Sequence, residues 1–239
     1  MSRYGERNMA TITSSSSYIL VTGGAGGIGS AICRLLPNIG ITPIVGFNTN
    51  STQAHILANE LNGFAVNIDM AENNSIIKAI QTIIEKVKSP DSLVGVVLGA
   101  SPPPEIEPFN NISSDHLSHQ FKVNVIGSQF LLKGLIKNFF LKKKSGTVVG
   151  ILTKAIGSDG HPPATGMGAY IVSKAALNSL LSVCSAEHPW LKVRTIAPSF
   201  TKTPMLDVFD SRYLEMIQAK NKISTPEEVA RLIIEKIKT

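Results

Sequence analysis

From Tyr18 almost to its end, the chain alternates short apolar runs with longer amphipathic stretches. The apolar runs are Tyr18–Thr22, Ile41–Phe47, Gly63–Ile68, Leu93–Leu98, Thr147–Leu152 and a run ending at Val193–Ile196. Between them, Gly27–Leu36, Ser51–Leu61, Ser75–Val87, a long stretch from Ser114-Asp115 and another from about Ala164 or later to Cys184 read as helices. In Ser75–Val87 the residues Ile76, Ile77, Ile80, Ile83, Ile84 and Val87 recur at helical spacing. Strand–helix alternation is satisfied by a parallel sheet, because parallel neighbours need crossovers and the crossover helices cover both faces. Right-handed crossovers then give an α/β, doubly wound parallel sheet, Rossmann-like, of about six strands. A flavodoxin-like sheet fits the same alternation, so the motifs must decide.

The 239 residues suit one domain, with no internal repeat and no linker. Residues 18–239 are expected to form it, and the polar, Ser/Thr-rich Met1–Ser17 a flexible extension. With 43% hydrophobic and 17% charged residues the chain can bury a sizeable core and is too apolar for a disordered one. A net charge of +6 raises a nucleic-acid reading, but Lys142, Lys143 and Lys144 follow a long helical pattern, where cations suit the negative helix end. No nucleic-acid partner is therefore expected. Cys33 and Cys184 lie in helical patterns among apolar neighbours and read as buried free thiols of a reducing compartment. No apolar stretch reaches the roughly 18–20 residues of a membrane span, and the N-terminus lacks a signal peptide's apolar segment, so a cytoplasmic location is expected. His116 and His119, three apart, show no partner carboxylate or Cys nearby and read as solvated helix positions. His55, His161 and His188 are isolated, and no metal is expected.

The segment Thr22-Gly23-Gly24-Ala25-Gly26-Gly27-Ile28-Gly29 sits between the first strand and the first helix. Glycines let the backbone turn sharply and approach a pyrophosphate, and the helix start offers free N–H groups and a positive dipole end. The strand before and helix after supply the context that a Gly-rich run alone lacks. No Gly-Lys-Ser/Thr follows, which excludes a P-loop. A second signal is Tyr170-Ile171-Val172-Ser173-Lys174. Tyr and Lys four apart share a helix face. An ammonium beside a phenol favours the phenolate, so the Tyr pKa is expected to fall toward working pH, where it exchanges a proton with an alcohol or carbonyl oxygen.

Thr22, Gly23, Gly27 and Gly29 match the Thr-Gly-x-x-x-Gly-x-Gly turn of the short-chain dehydrogenase/reductase family. Tyr170 and Lys174, followed by Ala175-Ala176-Leu177, match its Tyr-x-x-x-Lys. The chain resembles that family from Tyr18 to about Val229. The resemblance implies an NAD(P)-dependent oxidoreductase that moves a hydride between the nicotinamide and a carbonyl or alcohol carbon, here read as a ketoreductase. By the same resemblance the turn residues, Ile28 included, hold the pyrophosphate, Asp69 binds the adenine amino group and its neighbour Met70 packs on the ring. Lys174 holds the nicotinamide ribose, and Thr203, in Pro198-Ser199-Phe200-Thr201-Lys202-Thr203, bonds the carboxamide. Asn124 distorts its helix and holds a relay water. Asp69 has a competing reading as a helix N-cap.

The family's Ser is matched by Thr153 when the fifth strand is aligned, and by a position near Ser158 when spacing to Tyr170 is counted. Thr153 is preferred, since its hydroxyl can donate the same hydrogen bond. After the second strand, Asn48, Ser51 and Thr52 stand where no Asp or Glu is available for the ribose hydroxyls, which favours NADP over NAD. Leu98-Gly99-Ala100-Ser101 replaces the usual Asn-Asn-Ala-Gly, although Gly99 still allows close cofactor approach. Pro198-Ser199 replaces Pro-Gly, and the family's last strand is missing. The loops Ser101–Asn111, Gly157–Gly168 and Phe200–Phe209 are expected to contact an uncharged or partly apolar substrate, and a homodimer is expected. The altered segments also leave open a cofactor-binding sensor or interaction protein with little turnover.

Overall fold

A computed structural model describes residues 17–158, 160–220 and 223–239. Its strands are β1 (Ser17–Thr22), β2 (Ile41–Phe47), β3 (Phe64–Asn67), β4 (Leu93–Leu98), β5 (Gly146–Ile151) and β6 (Leu191–Ile196). They form one sheet in the order β3-β2-β1-β4-β5-β6, with every pairing parallel. The helices are α1 (Gly27–Leu35), α2 (Ser51–Glu60), α3 (Asn73–Lys86), α4 (Ser114–Phe121), α5 (Ser128–Leu135), α6 (Gly168–Glu187), α7 (Ser211–Lys220) and α8 (Pro226–Lys238). This is the doubly wound α/β fold that the alternation predicts.

The central strands read as unbroken apolar runs because both faces are buried. Their pleat nevertheless divides them. Leu20, Val96 and Val148 face a core built with α3, α5 and α6. Their neighbours Val21, Val97 and Val149 face a second core built with α1, α2 and α8. Strand order reverses between β1, whose crossover leads to β2, and β4 on its other side. Such a reversal opens a crevice beyond the carboxyl ends of the strands, where folds of this kind bind ligands.

Local chemistry sets the helix ends. Ser113 Oγ accepts the His116 N–H at 3.0 Å and starts α4. Thr225 and Glu228 form a reciprocal capping box at the start of α8, where Pro226 takes the first position. Leu36 belongs to a 3₁₀ turn, Leu36–Ile39, closed by Gly40 in the left-handed region, and not to α1. The long helix expected from Ser114 is broken by two π-helical segments, Lys122–Gly127 and Ile136–Phe140.

Several expectations need correction. Ser17 pairs with Ile41 in β1, so it is not part of an extension; Met1–Ser16 lie outside the described residues. α6 starts at Gly168, within the expected range of Ala164 or later, but runs on past Cys184 to Glu187. Cys184 is only half-buried, whereas Cys33 is buried. Lys142–Lys144 form a turn after the helix, and Lys143 Nζ donates to the carbonyls of Asp91 (2.9 Å) and Leu93 (2.7 Å) before β4. Finally, one described helix, α6, is long and apolar enough to cross a membrane by length and composition. It packs instead on α4, β5 and β6 and carries the buried Ser173 and Lys174.

Candidate active site

The Gly-rich turn sits at the crevice. Gly23 takes φ +67°, which only glycine adopts without strain, so the chain reverses from β1 into α1 within a few residues. A Cβ on Gly27 would stand 2.5 Å from Thr203 Cγ2. The missing side chain thus lets the loop after β6 close over the start of α1. No acidic residue occupies the first turn of α1, and its N-cap Gly26 offers no side-chain partner. Its first N–H groups therefore remain available to an anion. Thr22 plays a different part from the expected ligand contact. It is buried, donates to Val97 O (3.3 Å), and accepts from Gly99 N (3.0 Å) and Ala100 N (3.1 Å). Its hydroxyl fastens the end of β1 to the end of β4 and so fixes the floor of the crevice, a task for which the Leu98–Ser101 segment supplies only backbone.

A cavity of about 370 Å³ extends from this turn. Its lining includes Ile28, Gly99, Pro198 and Thr203 together with Thr153, Tyr170 and Lys174. All three loops expected to contact substrate contribute, through Pro104, Met167 and Phe200 among others. Phe200, Phe209 and Tyr213 add an aromatic cluster, with Phe209 and Tyr213 stacked at 5.5 Å; the place of Tyr213, on α7, has no signal in the sequence.

Thr153 ends the segment after β5 and accepts the Ala155 N–H at 3.1 Å, which fixes its rotamer. Its side chain faces the same cavity as the Tyr170 phenol, where it opposes the rise that burial imposes on that group's pKa. Ser158 is exposed, pairs through its backbone with His161, and does not line the cavity. The geometry thus brings Thr153 to Tyr170 and leaves Ser158 outside.

The expected fall of the Tyr170 pKa is reversed. Burial pushes the phenol up to about 12 against the opposing effect of Thr153. Burial also pushes Lys174 down to about 8. The reason is geometric. Lys174 Nζ donates to Ile151 O at 3.0 Å and lies 5.8 Å from the Tyr170 ring centroid, so desolvation outweighs its help to the phenolate. Tyr170 is therefore a phenol at neutral pH, the form that can give a proton to a carbonyl oxygen.

Asn124 lies in the first π-helical segment, and this is the helix distortion the resemblance predicts. It is fully buried. Its Nδ2 donates to Gln120 Oε1 (3.0 Å) and Ser173 Oγ (2.9 Å), while its Oδ1 has no partner among the described residues. Gln120 and Ser173 were not singled out in the sequence. The available signal was their spacing, four before Asn124 and three after Tyr170.

Other expected residues stand as follows. Asn48 is exposed after β2, beside exposed Ser51 and Thr52. Asp69 is not a helix N-cap; the N-cap of α3 is Glu72, and Asp69 Oδ1 instead accepts Ala71 N at 2.8 Å in a turn. Met70 is buried in the core beside α3, so it offers little surface to an adenine ring, contrary to expectation. His116 is not solvated and does have carboxylate neighbours. It is buried, with Nδ1 2.7 Å from Glu107 Oε1 and 3.6 Å from Glu105 Oε2. The fold brings these three ligand-type side chains within 4.8 Å, a grouping hidden in the sequence because the glutamates lie in a Pro-rich loop. His119 is exposed.

Residues 17–213 match the family profile described as short chain dehydrogenase. The chain belongs to the short chain dehydrogenase family. It is accordingly an NAD(P)-dependent oxidoreductase. A 3-oxoacyl-[acyl-carrier-protein] reductase of Rickettsia typhi (strain ATCC VR-144 / Wilmington) is 28% identical over 226 residues, covering 88% of this chain and 85% of that protein. Among solved structures, a gluconate 5-dehydrogenase from Burkholderia cenocepacia J2315, in complex with NADP and tartrate, has a TM-score of 0.80 at 17% identity, covering 90% of this chain and 86% of that one. A 3-ketoacyl-(acyl-carrier-protein) reductase from Brucella melitensis, complexed with NADH, has a TM-score of 0.79 at 18% identity, covering 91% and 89%. The structural likenesses show the fold. As a member of the short chain dehydrogenase family, the protein takes NADP or NAD as its cofactor.

Proposed function

We propose that this short chain dehydrogenase is a ketoreductase that prefers NADPH, with Tyr170 as proton donor. The observation that carries the reading is that Thr153, Tyr170 and Lys174 line one cavity together with Ile28 of the Gly-rich turn. The residues present fit a dinucleotide. The α1 start has unpaired N–H groups, and Ile28, Gly99, Pro198 and Thr203 leave space between the turn and Tyr170. Gly23, Gly27 and Gly29 would admit the pyrophosphate, Thr203 would bond the carboxamide and Lys174 the ribose. Asp69 keeps one carboxylate oxygen for an adenine amino group. Asn48, Ser51 and Thr52 would receive a 2′-phosphate, since no carboxylate ends β2 to repel it. The bound nicotinamide supplies the hydride. Thr153 orients the substrate oxygen, Tyr170 protonates it as charge develops there, and Asn124 supports resupply of the proton through a relay water.

Apolar residues of the cavity lining include Pro104, Pro162, Met167, Phe200, Met205 and Phe209. This wall supports a ketone with an apolar body. A 3-oxoacyl thioester, the substrate class in the name of the Rickettsia typhi relative, is of that kind. The test is NADPH oxidation with a panel of aliphatic, cyclic and 3-oxoacyl ketones, beside fluorescence titration with NADPH and NADH. Turnover with tighter NADPH binding is expected. Cofactor binding without turnover of any ketone would instead favour a cofactor-binding sensor. Self-association is part of the proposal. Ile126, Val172 and Val183 are 50–54% exposed on the helices that carry Asn124 and Tyr170. Two copies packed through these faces would cover them, and light scattering at several concentrations should give a dimer mass.

A further inference from the structure

Three buried polar residues, His116, Gln120 and Asn124, follow one another at intervals of four along α4 and its π-helical continuation. They form one ridge, and each reaches a different neighbour. His116 holds Glu107. Gln120 Nε2 donates to Pro103 O at 2.9 Å, in the loop whose Ser101 and Pro104 line the cavity. Asn124 Nδ2 donates to Gln120 Oε1 and to Ser173 Oγ. Ser173 Oγ in turn donates to the Tyr170 carbonyl at 2.8 Å.

This chain has a direction. A backbone carbonyl only accepts, so Pro103 O forces the Gln120 amide to present Nε2 to it and Oε1 to Asn124. Oε1 then requires a donor, which fixes the Asn124 amide with Nδ2 on this side. Ser173 Oγ, spending its own proton on Tyr170 O, requires the same. Asn124 Oδ1 is left pointing away, buried and open to a donor. We propose that Gln120 is a positioning residue that couples the substrate loop to the catalytic helix, because its amide reads the place of Pro103 and sets the orientation of Asn124. The coupling rests on the proposed role of Asn124 and Tyr170. The loop is otherwise held to the front of α6 by Glu107, whose N–H donates to Gly166 O at 3.0 Å. The loop is also tied to α4 through the Glu107–His116 pair, and of these ties only the Gln120 one bonds Asn124.

The test compares Gln120→Met, which loses both bonds, with Ser173→Ala, which loses only the Asn124–Tyr170 link. Hydrogen exchange over residues 101–108 and steady-state kinetics are read in each. In Gln120→Met the loop should exchange about ten-fold faster, the scale of one lost hydrogen bond. The KM for ketone should rise and kcat fall, with NADPH affinity unchanged. In Ser173→Ala the loop should exchange as in the wild type, with kcat lowered and KM unchanged. Gln120→Asn, one methylene shorter, keeps an amide that cannot span both partners, and it should repeat the faster loop exchange. A folded Gln120→Met or Gln120→Asn with wild-type loop exchange overturns the proposal. So does a loss of thermal stability with both KM and kcat unaltered, the mark of a merely structural role. Absence of ketone turnover in the wild-type protein would defeat the functional reading alone, since the exchange comparison needs no substrate.

Discussion

Lys174 is 2% exposed, its ammonium bonded to the Ile151 carbonyl and, among the described residues, to no carboxylate. Burial without a counter-charge depresses its pKa from 10.5 to about 8 in the folded protein. The unfolded chain therefore binds more protons than the folded one between those values, and stability must rise with pH across that window. Below about pH 8 the ammonium is charged in both states and the cost of burying it is fully felt. Above about 10.5 it is neutral in both and the cost is gone. The shift corresponds to about 3 kcal/mol at most. For a domain of this size that is roughly 6–12 °C in melting temperature. Lys174→Met removes the charge while keeping an unbranched apolar stem. Denaturant titrations of the cofactor-free protein and this variant from pH 7 to 10.5 isolate the effect, because Tyr170 and Cys33, whose pKa values burial raises, are common to both. The wild type should gain on the variant from about pH 8 upward and hold a constant deficit below it. A stability difference that does not change with pH would refute the account, and would mean that water or a relaxed rotamer solvates the ammonium.

Tyr170→Phe should preserve fold and cofactor affinity and lower turnover by orders of magnitude in a steady-state assay, since the phenol is the proton donor; near-normal rates would end the proposed mechanism. Thr153→Ala should lower kcat strongly while Ser158→Ala stays within a few-fold, because only Thr153 lines the cavity with Tyr170; the opposite ranking would reverse the assignment. Thr22→Val leaves the N–H groups of Gly99 and Ala100 without their acceptor and should cost about 2–4 kcal/mol in chemical denaturation. A loss below about 0.5 kcal/mol would show that the strand ends are fastened by other means.

The parts of the site that are local in sequence were legible. The Gly-rich turn and the pairing of Tyr170 with Lys174 on one helix face depend on spacings within one or two turns of chain, and backbone geometry alone assigns them. Thr153 could be placed only by choosing between strand alignment and residue count, because the loop that follows it has no regular period. His116 was misread since its carboxylate partners lie in an irregular, Pro-rich loop, where no periodicity shows which side chains turn inward. Met70 was likewise misplaced, and of the two readings of Asp69 only the N-cap one fails. The end of a short strand gives no indication of which residue dives into the core and which closes a turn on its own backbone.

By itself, the sequence determined the order of strands and helices, the parallel sheet, the phosphate-type turn and the presence of a Tyr–Lys pair. All of these follow from periodicity and from steric limits that act over a few residues. Only the tertiary structure decided the protonation state of that pair and the company it keeps. The charge on Tyr170 and Lys174 depends on how much water the packed cavity excludes and on which carbonyl the ammonium reaches, here Ile151, twenty-three residues away. The orientation of Asn124 depends on Gln120, which is itself held by Pro103 O, and on Ser173, all of them distant from it or from one another along the chain. Desolvation and hydrogen-bond direction are properties of the assembled interior, and no spacing along the chain encodes them.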